Sequence, residues 1–365
     1  MIIGVLGGGQ LARMLAMAGY PLGLEFIFFC PERDACAAPL GEHICAGFDD
    51  ESALARLAER ADVVTYEFEN VPVQAVQFLS ERVSVCPPAA ALGVTQDRLR
   101  EKHMFQALDI AIAPFAAVDS LDDLANAVKH IGLPALLKTR TQGYDGKGQT
   151  VLRCTEDLEA AWKQLRGVPS IVEAFIPFER ELSVIAVRGS NGETAFYPLA
   201  ENTHENGILR LSVSHPGDPM QAQAERYAQR LLDELAYVGV LALELFQVGD
   251  ELLVNEFAPR VHNSGHWTIE GAETSQFQNH LRAIVGWPLG STAPSGYAAM
   301  VNFIGTLPDS AQILTEPYVH LHDYGKVSRP GRKVGHATLH VASEQTLNAG
   351  LGKLLALSGV NHKSA

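Results

Sequence analysis

Positive charge is what this chain has least of: it carries 28 Lys and Arg against 42 Asp and Glu, a formal net charge of -14. Binding to a nucleic-acid backbone rests on neutralising phosphates with Lys and Arg, so no nucleic acid is expected as a partner, and any basic site must be local. Cysteine is scarce as well. Cys30, Cys36, Cys45, Cys86 and Cys154 are odd in number and form no C-x-x-C pair, which argues for reduced thiols and against a disulfide frame or a zinc site. No apolar run approaches the ~20 residues that cross a bilayer. Met1 to Leu6 runs into a glycine turn without a basic leader, so the expectation is a cytoplasmic protein with no membrane partner. Apolar residues, by contrast, make up 47% of 365 positions, enough core for two or three domains at about 150 residues each.

Periodicity divides the chain. Short apolar runs at Ile2–Leu6, Phe26–Phe29, Val63–Tyr66 and Val83–Val85 read as strands, alternating with helical patterns at Leu11–Ala18, Ser52–Arg60 and Val73–Ser80, which predicts a doubly wound parallel sheet. After Pro87-Pro88 comes a helix near Gln96–Leu108, then strands at Ala135–Lys138 and Thr150–Arg153 flanking a glycine-rich stretch. Further strands are expected at Leu182–Arg188 and Thr194–Tyr197, and a helix at Gln221–Leu235. A hairpin at Val240–Gln247 and Glu251–Phe257 turns at Gly249-Asp250, and a last helix covers Glu344–Ser358.

Four motifs carry chemistry. Gly7-Gly8-Gly9-Gln10-Leu11-Ala12 fits G-x-G-x-x-G/A between a strand and a helix, with Glu32 about 20 residues on, as a dinucleotide enzyme would have it. The less specific reading is preferred: a glycine turn at a helix N-terminus that binds any phosphate. In Lys138 to Gln149 three glycines, Gly143, Gly146 and Gly148, accompany Lys138 and Lys147; such a loop can close over phosphates as a lid, though a plain glycine hairpin is the alternative. It lacks the P-loop spacing. Glu244 and Glu256 each interrupt an apolar strand, where a lone acid is costly to bury unless a cation compensates; paired across a hairpin they can hold Mg2+.

His262-Asn263-Ser264-Gly265-His266 spaces two histidines four apart, but Asn263 stands where a zincin has Glu, and Pro259 and Gly265 favour a loop, so it reads as a substrate-contacting segment rather than a zinc site. The basic run Lys326 to Lys333 is either a solvated face or the seat of a substrate phosphate.

Taken together, these segments resemble the N5-carboxyaminoimidazole ribonucleotide synthases of the ATP-grasp superfamily. The likeness runs from Gly7-Gly8-Gly9-Gln10-Leu11 through Gly143-Tyr144-Asp145-Gly146-Lys147-Gly148-Gln149 and Asn255 to Trp267, to Arg329-Pro330-Gly331-Arg332-Lys333-Val334-Gly335-His336. It implies an α/β ATP-grasp fold: an N-terminal Rossmann-like pre-ATP-grasp domain at 1–95, and an ATP-grasp domain at 96–290 with a small central lobe at about 110–177. A C-terminal part at 291–365 would carry the basic cluster, and the enzyme would be a homodimer.

The resemblance further implies ATP held by Arg98, Lys138, Gly143 to Gln149, the stretch Glu173-Ala174-Phe175-Ile176, Glu181, His204, Asn255 and Glu256, with Mg2+ on Glu244 and Glu256. The ribonucleotide, 5-aminoimidazole ribonucleotide, would meet Gln10, Leu11, Glu67, Tyr144, Asp145, Arg260, His262, Asn263, Ser264, Lys326, Arg332 and Lys333. The inferred reaction joins bicarbonate to the γ-phosphate and passes the carboxyl group to the substrate amine. Lys147 would then serve the transferring phosphate, Arg260 the bicarbonate-derived group, and Asp145 and His262 the proton transfers. Other ATP-grasp ligases, such as a formate-dependent glycinamide ribonucleotide transformylase or a biotin carboxylase, are the alternative, and an NAD-dependent dehydrogenase the remote one.

Overall fold

The computed structural model describes residues 1–141, 143 and 148–359. Its first sheet is parallel throughout: β1 (Ile2–Leu6), β2 (Glu25–Cys30), β3 (Glu42–Cys45), β4 (Val63–Tyr66) and β5 (Ser84–Val85), in the order β3-β2-β1-β4-β5. Helices cover both faces, so β1, β2 and β4 are apolar along nearly their whole length rather than alternating. A four-stranded antiparallel sheet follows, β6 (Phe115–Val118), β7 (Ala135–Thr139), β8 (Gln149–Leu152) and β9 (Ser170–Ala174), ordered β6-β9-β7-β8. The helix Leu121–Ile131 packs on it; Ser120 caps this helix by accepting from the Asp123 N–H, while Asp123 reaches back to the Asp119 N–H.

The third sheet has nine strands: β10 (Arg180–Arg188), β11 (Thr194–Phe196), β12 (Leu199–Glu205), β13 (Ile208–His215), β14 (Gly239–Val248), β15 (Glu251–Ala258), β16 (Tyr297–Ile304), β17 (Val319–Asp323) and β18 (Lys333–Val341). Their order is β15-β14-β10-β12-β13-β16-β18-β17, with β11 on β10. The C-terminal strands β16 to β18 therefore extend the sheet that carries the paired carboxylates.

Period-two alternation decides what each face of this sheet presents. Leu182, Val184 and Ala186 of β10 and Leu241, Leu243 and Leu245 of β14 pack with the helix Gln221–Glu234 in one core. Ser183, Ile185, Val240, Ala242 and Glu244 thus share the opposite face. There Ala200 and Ala258 join a core with Trp267 and Phe277 that extends to the helix Gln10–Gly19. At the end of that face the apolar residues give way to polar ones, and the candidate site begins.

Candidate functional site

The hairpin β14–β15 places its two acids opposite each other: Glu244 pairs with Glu256. The next pair is Leu245 with Val254, so Asn255 is the extra residue of a bulge. Bulges of this kind re-aim side chains and free backbone groups. Here the Asn255 carbonyl accepts from Lys102 Nζ at 2.7 Å. Lys102 belongs to the helix Arg98–Ala107, whose Arg98, Glu101 and Lys102 lie at i, i+3 and i+4 on one face. All three grip consecutive residues of β15. Arg98 donates to the Glu256 carboxylate at 2.9 Å, and Glu101 accepts from the Phe257 N–H at 2.9 Å.

The same helix ties the four-stranded sheet to the hairpin. Lys138, at the end of β7, donates to Glu173 of β9 at 3.0 Å, and Lys102 lies 3.5 Å from the same oxygen. All three side chains are buried. Burial alone would raise the Glu173 carboxyl, but the Lys138 and Lys102 charges outweigh it and hold it at about 2. The other Glu173 oxygen, Oε1, is buried without a hydrogen-bond partner among the described residues. Asp97, the cap of the helix, takes Arg140 from the strand end at 3.2 and 2.5 Å. At the edge of this region His204 Nδ1 meets Glu181 at 3.0 Å; burial works against a charged imidazole, yet that bond and the Glu181 charge raise its proton affinity. Phe175 is exposed, and Phe178 stacks on Phe246 with centroids 4.6 Å apart.

Glu244 faces the loop after β15. Its carboxyl is raised, first by burial and then by the charge of Glu256, whereas Arg98 overrides burial to lower Glu256. His262 Nε2 lies 3.3 Å from Glu244 Oε1, and burial followed by the Arg260 charge keeps the imidazole well below the usual histidine range and neutral. Arg260 forms a two-pronged pair with Glu69 at 2.7 and 2.6 Å. Burial opposes ionisation of Glu69, but the guanidinium holds it at about 2. Asn263 exchanges amide hydrogen bonds with Asn302 at 3.2 and 2.8 Å. His266 takes no part in the hairpin site: it is fully buried and packs on His336, centroids 4.8 Å apart.

The glycine turn departs from the expected phosphate cradle. Gly9 and Ala12 donate their N–H groups to the Glu67 carboxylate, the latter at 2.9 Å. A Cβ on Gly7 would come within 2.3 Å of Glu67, and one on Gly9 within 2.7 Å, so these glycines make room for a carboxylate of the chain itself. The dinucleotide reading fails for the same reason, and Glu32 stands exposed on the surface. Burial raises the Glu67 carboxyl, which the two donors offset only in part. Beside it Lys326 donates to the Gln10 side chain, bringing the basic run onto the turn; Arg332 donates to the Val327 carbonyl at 3.1 Å. Lys333 opens β18.

Tyr144, Asp145, Gly146 and Lys147 lie outside the described residues, as does Gln142; Gly148 and Gln149 close the strand pair opposite Lys138 and Thr139. Sequence reasoning missed Glu69, Glu101, Lys102, Ser183, Asn202 and Gln276. The helical spacing from Arg98 could have flagged Glu101 and Lys102, because polar residues at i+3 and i+4 from a site arginine share its face. Nothing local marks the others.

Three family matches tile the chain: a ribonucleotide synthetase preATP-grasp domain over residues 1–96, an ATP-grasp domain over 103–277, and a phosphoribosylaminoimidazole carboxylase C-terminal domain over 298–349. The N5-carboxyaminoimidazole ribonucleotide synthase of Pseudomonas aeruginosa is 57% identical, over 98% of this chain and 99% of its own. A crystal structure of N5-carboxyaminoimidazole ribonucleotide synthetase from Thermus thermophilus superimposes with a TM-score of 0.94 at 56% identity, covering 100% of this chain and 99% of that one. One from Aspergillus clavatus, in complex with ADP and 5-aminoimidazole ribonucleotide, does so with 0.90 at 29% identity, covering 98% of each chain.

Proposed function

The chain belongs to the N5-carboxyaminoimidazole ribonucleotide synthases, ATP-dependent ligases of the ATP-grasp superfamily, and from that premise we propose how its own residues carry the reaction. The activity is the carboxylation of 5-aminoimidazole ribonucleotide with ATP and bicarbonate, releasing ADP and phosphate, in purine biosynthesis. The observation that carries the residue assignment is the meeting of Arg98, Glu256, Glu244 and His262 in one contiguous line of contacts.

ATP lies along Arg98, Lys138, the 143–149 loop, Glu173 to Ile176, Glu181, His204, Asn255 and Glu256. Two facing hard carboxylates fit Mg2+, and the Glu244 carboxyl, raised by burial and then by the Glu256 charge, marks a conflict that a divalent cation would relieve. When bound at Glu244 and Glu256, Mg2+ supplies charge neutralisation at the phosphates. Lys138 and Lys147 steady the transferring phosphoryl group as bicarbonate attacks it, giving carboxyphosphate and ADP. Arg260 anchors the bicarbonate-derived group, and of the two groups expected to serve the proton transfers Asp145 keeps that role, while His262 faces Glu244. A closed site keeps water from the CO2 released before the substrate amine captures it. The ribonucleotide rests on Gln10, Leu11, Glu67, Tyr144, Asp145, the loop Arg260 to Ser264, and Lys326, Arg332 and Lys333.

The division at 1–95, 96–290 and 291–365, a homodimer and a cytoplasmic location complete the reading; among the described residues no helix is long and apolar enough to cross a membrane. The test is ADP release with each substrate omitted in turn. Release should require both 5-aminoimidazole ribonucleotide and bicarbonate; release stimulated instead by formate or biotin would move the chain to another ligase of the superfamily.

A further inference from the structure

We infer that His262 is a positioning residue, locked with its ring proton on Nε2 so that the N–H side of the ring faces Glu244, and that a one-way chain of buried hydrogen bonds through Ser264, Ser183, Asn202 and Ser212 holds it in that form. The inference rests on the reading of Glu244 as a metal-holding carboxylate.

Two groups converge on Nδ1: the Ser264 backbone N–H at 3.3 Å and the Ser264 hydroxyl at 2.8 Å. A backbone N–H can only donate, so Nδ1 is the acceptor nitrogen. The hydroxyl is free to donate as well because its oxygen already accepts from Ser183 Oγ at 2.8 Å. Ser183 in turn accepts from the Asn202 amide at 3.0 Å, and the Asn202 carbonyl accepts from Ser212 at 2.6 Å. Every donor in the chain points toward the imidazole. The four residues are between 0% and 6% exposed, so none can exchange its partner for water without a desolvation cost.

An imidazole whose Nδ1 accepts from a backbone N–H carries its proton on Nε2, the nitrogen 3.3 Å from Glu244 Oε1. The peptide of His262 is fixed from the other side. Its N–H donates to Gln276 Oε1 at 2.9 Å, and Gln276 Nε2 donates to its carbonyl at 2.6 Å. Only a glycine at 265 leaves room for that amide, since a Cβ there would lie 2.7 Å from it. Register supplies the rest: Ser183 stands opposite Glu244 on the adjacent strand, and Asn202 opposite Ser212. A ring N–H held 3.3 Å from one carboxylate oxygen turns positive charge toward it and favours one orientation of the carboxylate, as outer groups do around metal ligands. His262 so held has no free lone pair on Nε2 and turns a proton, not a base, toward Glu244.

Nitrogen-15 NMR of the histidine rings in the resting protein tests this, with His262→Gln identifying the resonance by its loss. The expected spectrum shows a protonated Nε2 and an unprotonated Nδ1; a proton on Nδ1 overturns the inference. Kinetics give a second arm. Ser183→Ala should lower kcat about tenfold, the smaller end of the range for outer partners of a metal site, leave the KM for ATP unchanged, and be largely rescued by Ser183→Thr. Wild-type kcat in Ser183→Ala would show that the chain does not position His262. The ring spectrum needs no substrate, so a failure of bicarbonate-dependent ADP release would sink the carboxylation reading and leave this one standing.

Discussion

The two ends of the site hold their cations differently. At the end proposed for the nucleotide Lys138 and Lys102 share one carboxylate, Glu173, and are 7% and 1% exposed. At the end proposed for the ribonucleotide Lys326 rests on the Gln10 amide and Arg332 on a carbonyl, both partly exposed. A charge taken out of water must be paired within the chain, and that pairing then belongs to the fold. A charge left partly in water keeps some of its hydration, although burial lowers the proton affinity of Lys326, and can give that water up to an incoming phosphate. The first arrangement fixes local shape ahead of any ligand, as the proposed ATP site would need; the second leaves attraction to spare for the proposed substrate anion.

The largest effect should come from the buried end. Glu173→Gln keeps the volume but strands two buried ammonium groups, and denaturant unfolding should show a loss of about 3–5 kcal/mol, whereas Lys326→Met should cost less than ~1 kcal/mol. Equal costs would erase the contrast. Next comes Glu256→Gln, which removes half of the facing carboxylate pair and the partner of Arg98; turnover should fall by roughly a hundredfold or more while the protein stays folded. Near-normal turnover with unchanged Mg2+ dependence would remove Glu256 from the metal site.

Acid should act through the two carboxylates that cations have depressed, Glu173 beside the buried lysines and Glu69 beside Arg260. Glu173 and Glu69 have folded values of about 2 against 4.5 for the free group, so the unfolded chain takes up protons first as pH falls. Their stabilisation is whole above 4.5 and is lost on descending toward 2. Urea midpoints followed through that window should drop in the wild type and drop less steeply in Glu173→Gln; an identical slope would mean that the lysines do not govern this carboxyl.

The smallest change is expected from Arg332→Ala, which should raise the KM for 5-aminoimidazole ribonucleotide roughly tenfold, on the order of the 1.5–3 kcal/mol of a hydrogen bond to a charged group, with the KM for ATP nearly constant. Movement of both constants would make Arg332 part of the fold. Movement of neither would return the substrate phosphate to the Gly7 to Gln10 turn, where Glu67 already occupies two of the backbone donors.

Local order was readable from residue pattern because it depends on neighbours in the chain. The strands Ile2–Leu6 and Val63–Tyr66 and the helices Val73–Ser80 and Glu344–Ser358 lie where periodicity and apolar runs put them. So does the hairpin that carries Glu244 and Glu256, because Gly249, at a φ of 58°, suits its turn. Contacts between distant segments were a different matter. No local spacing joins Gly9 to Glu67, Arg260 to Glu69, or Ser183 to Ser264, since each pair is brought together by strand order and by which face of a sheet a residue occupies. The glycine turn shows the reason most clearly. Its sequence specifies backbone N–H groups exposed at the start of a helix, which attract any anion; only the parallel pairing of β1 with β4, which carries the chain to Glu67 beside that helix, decided that the anion is a side chain of this protein.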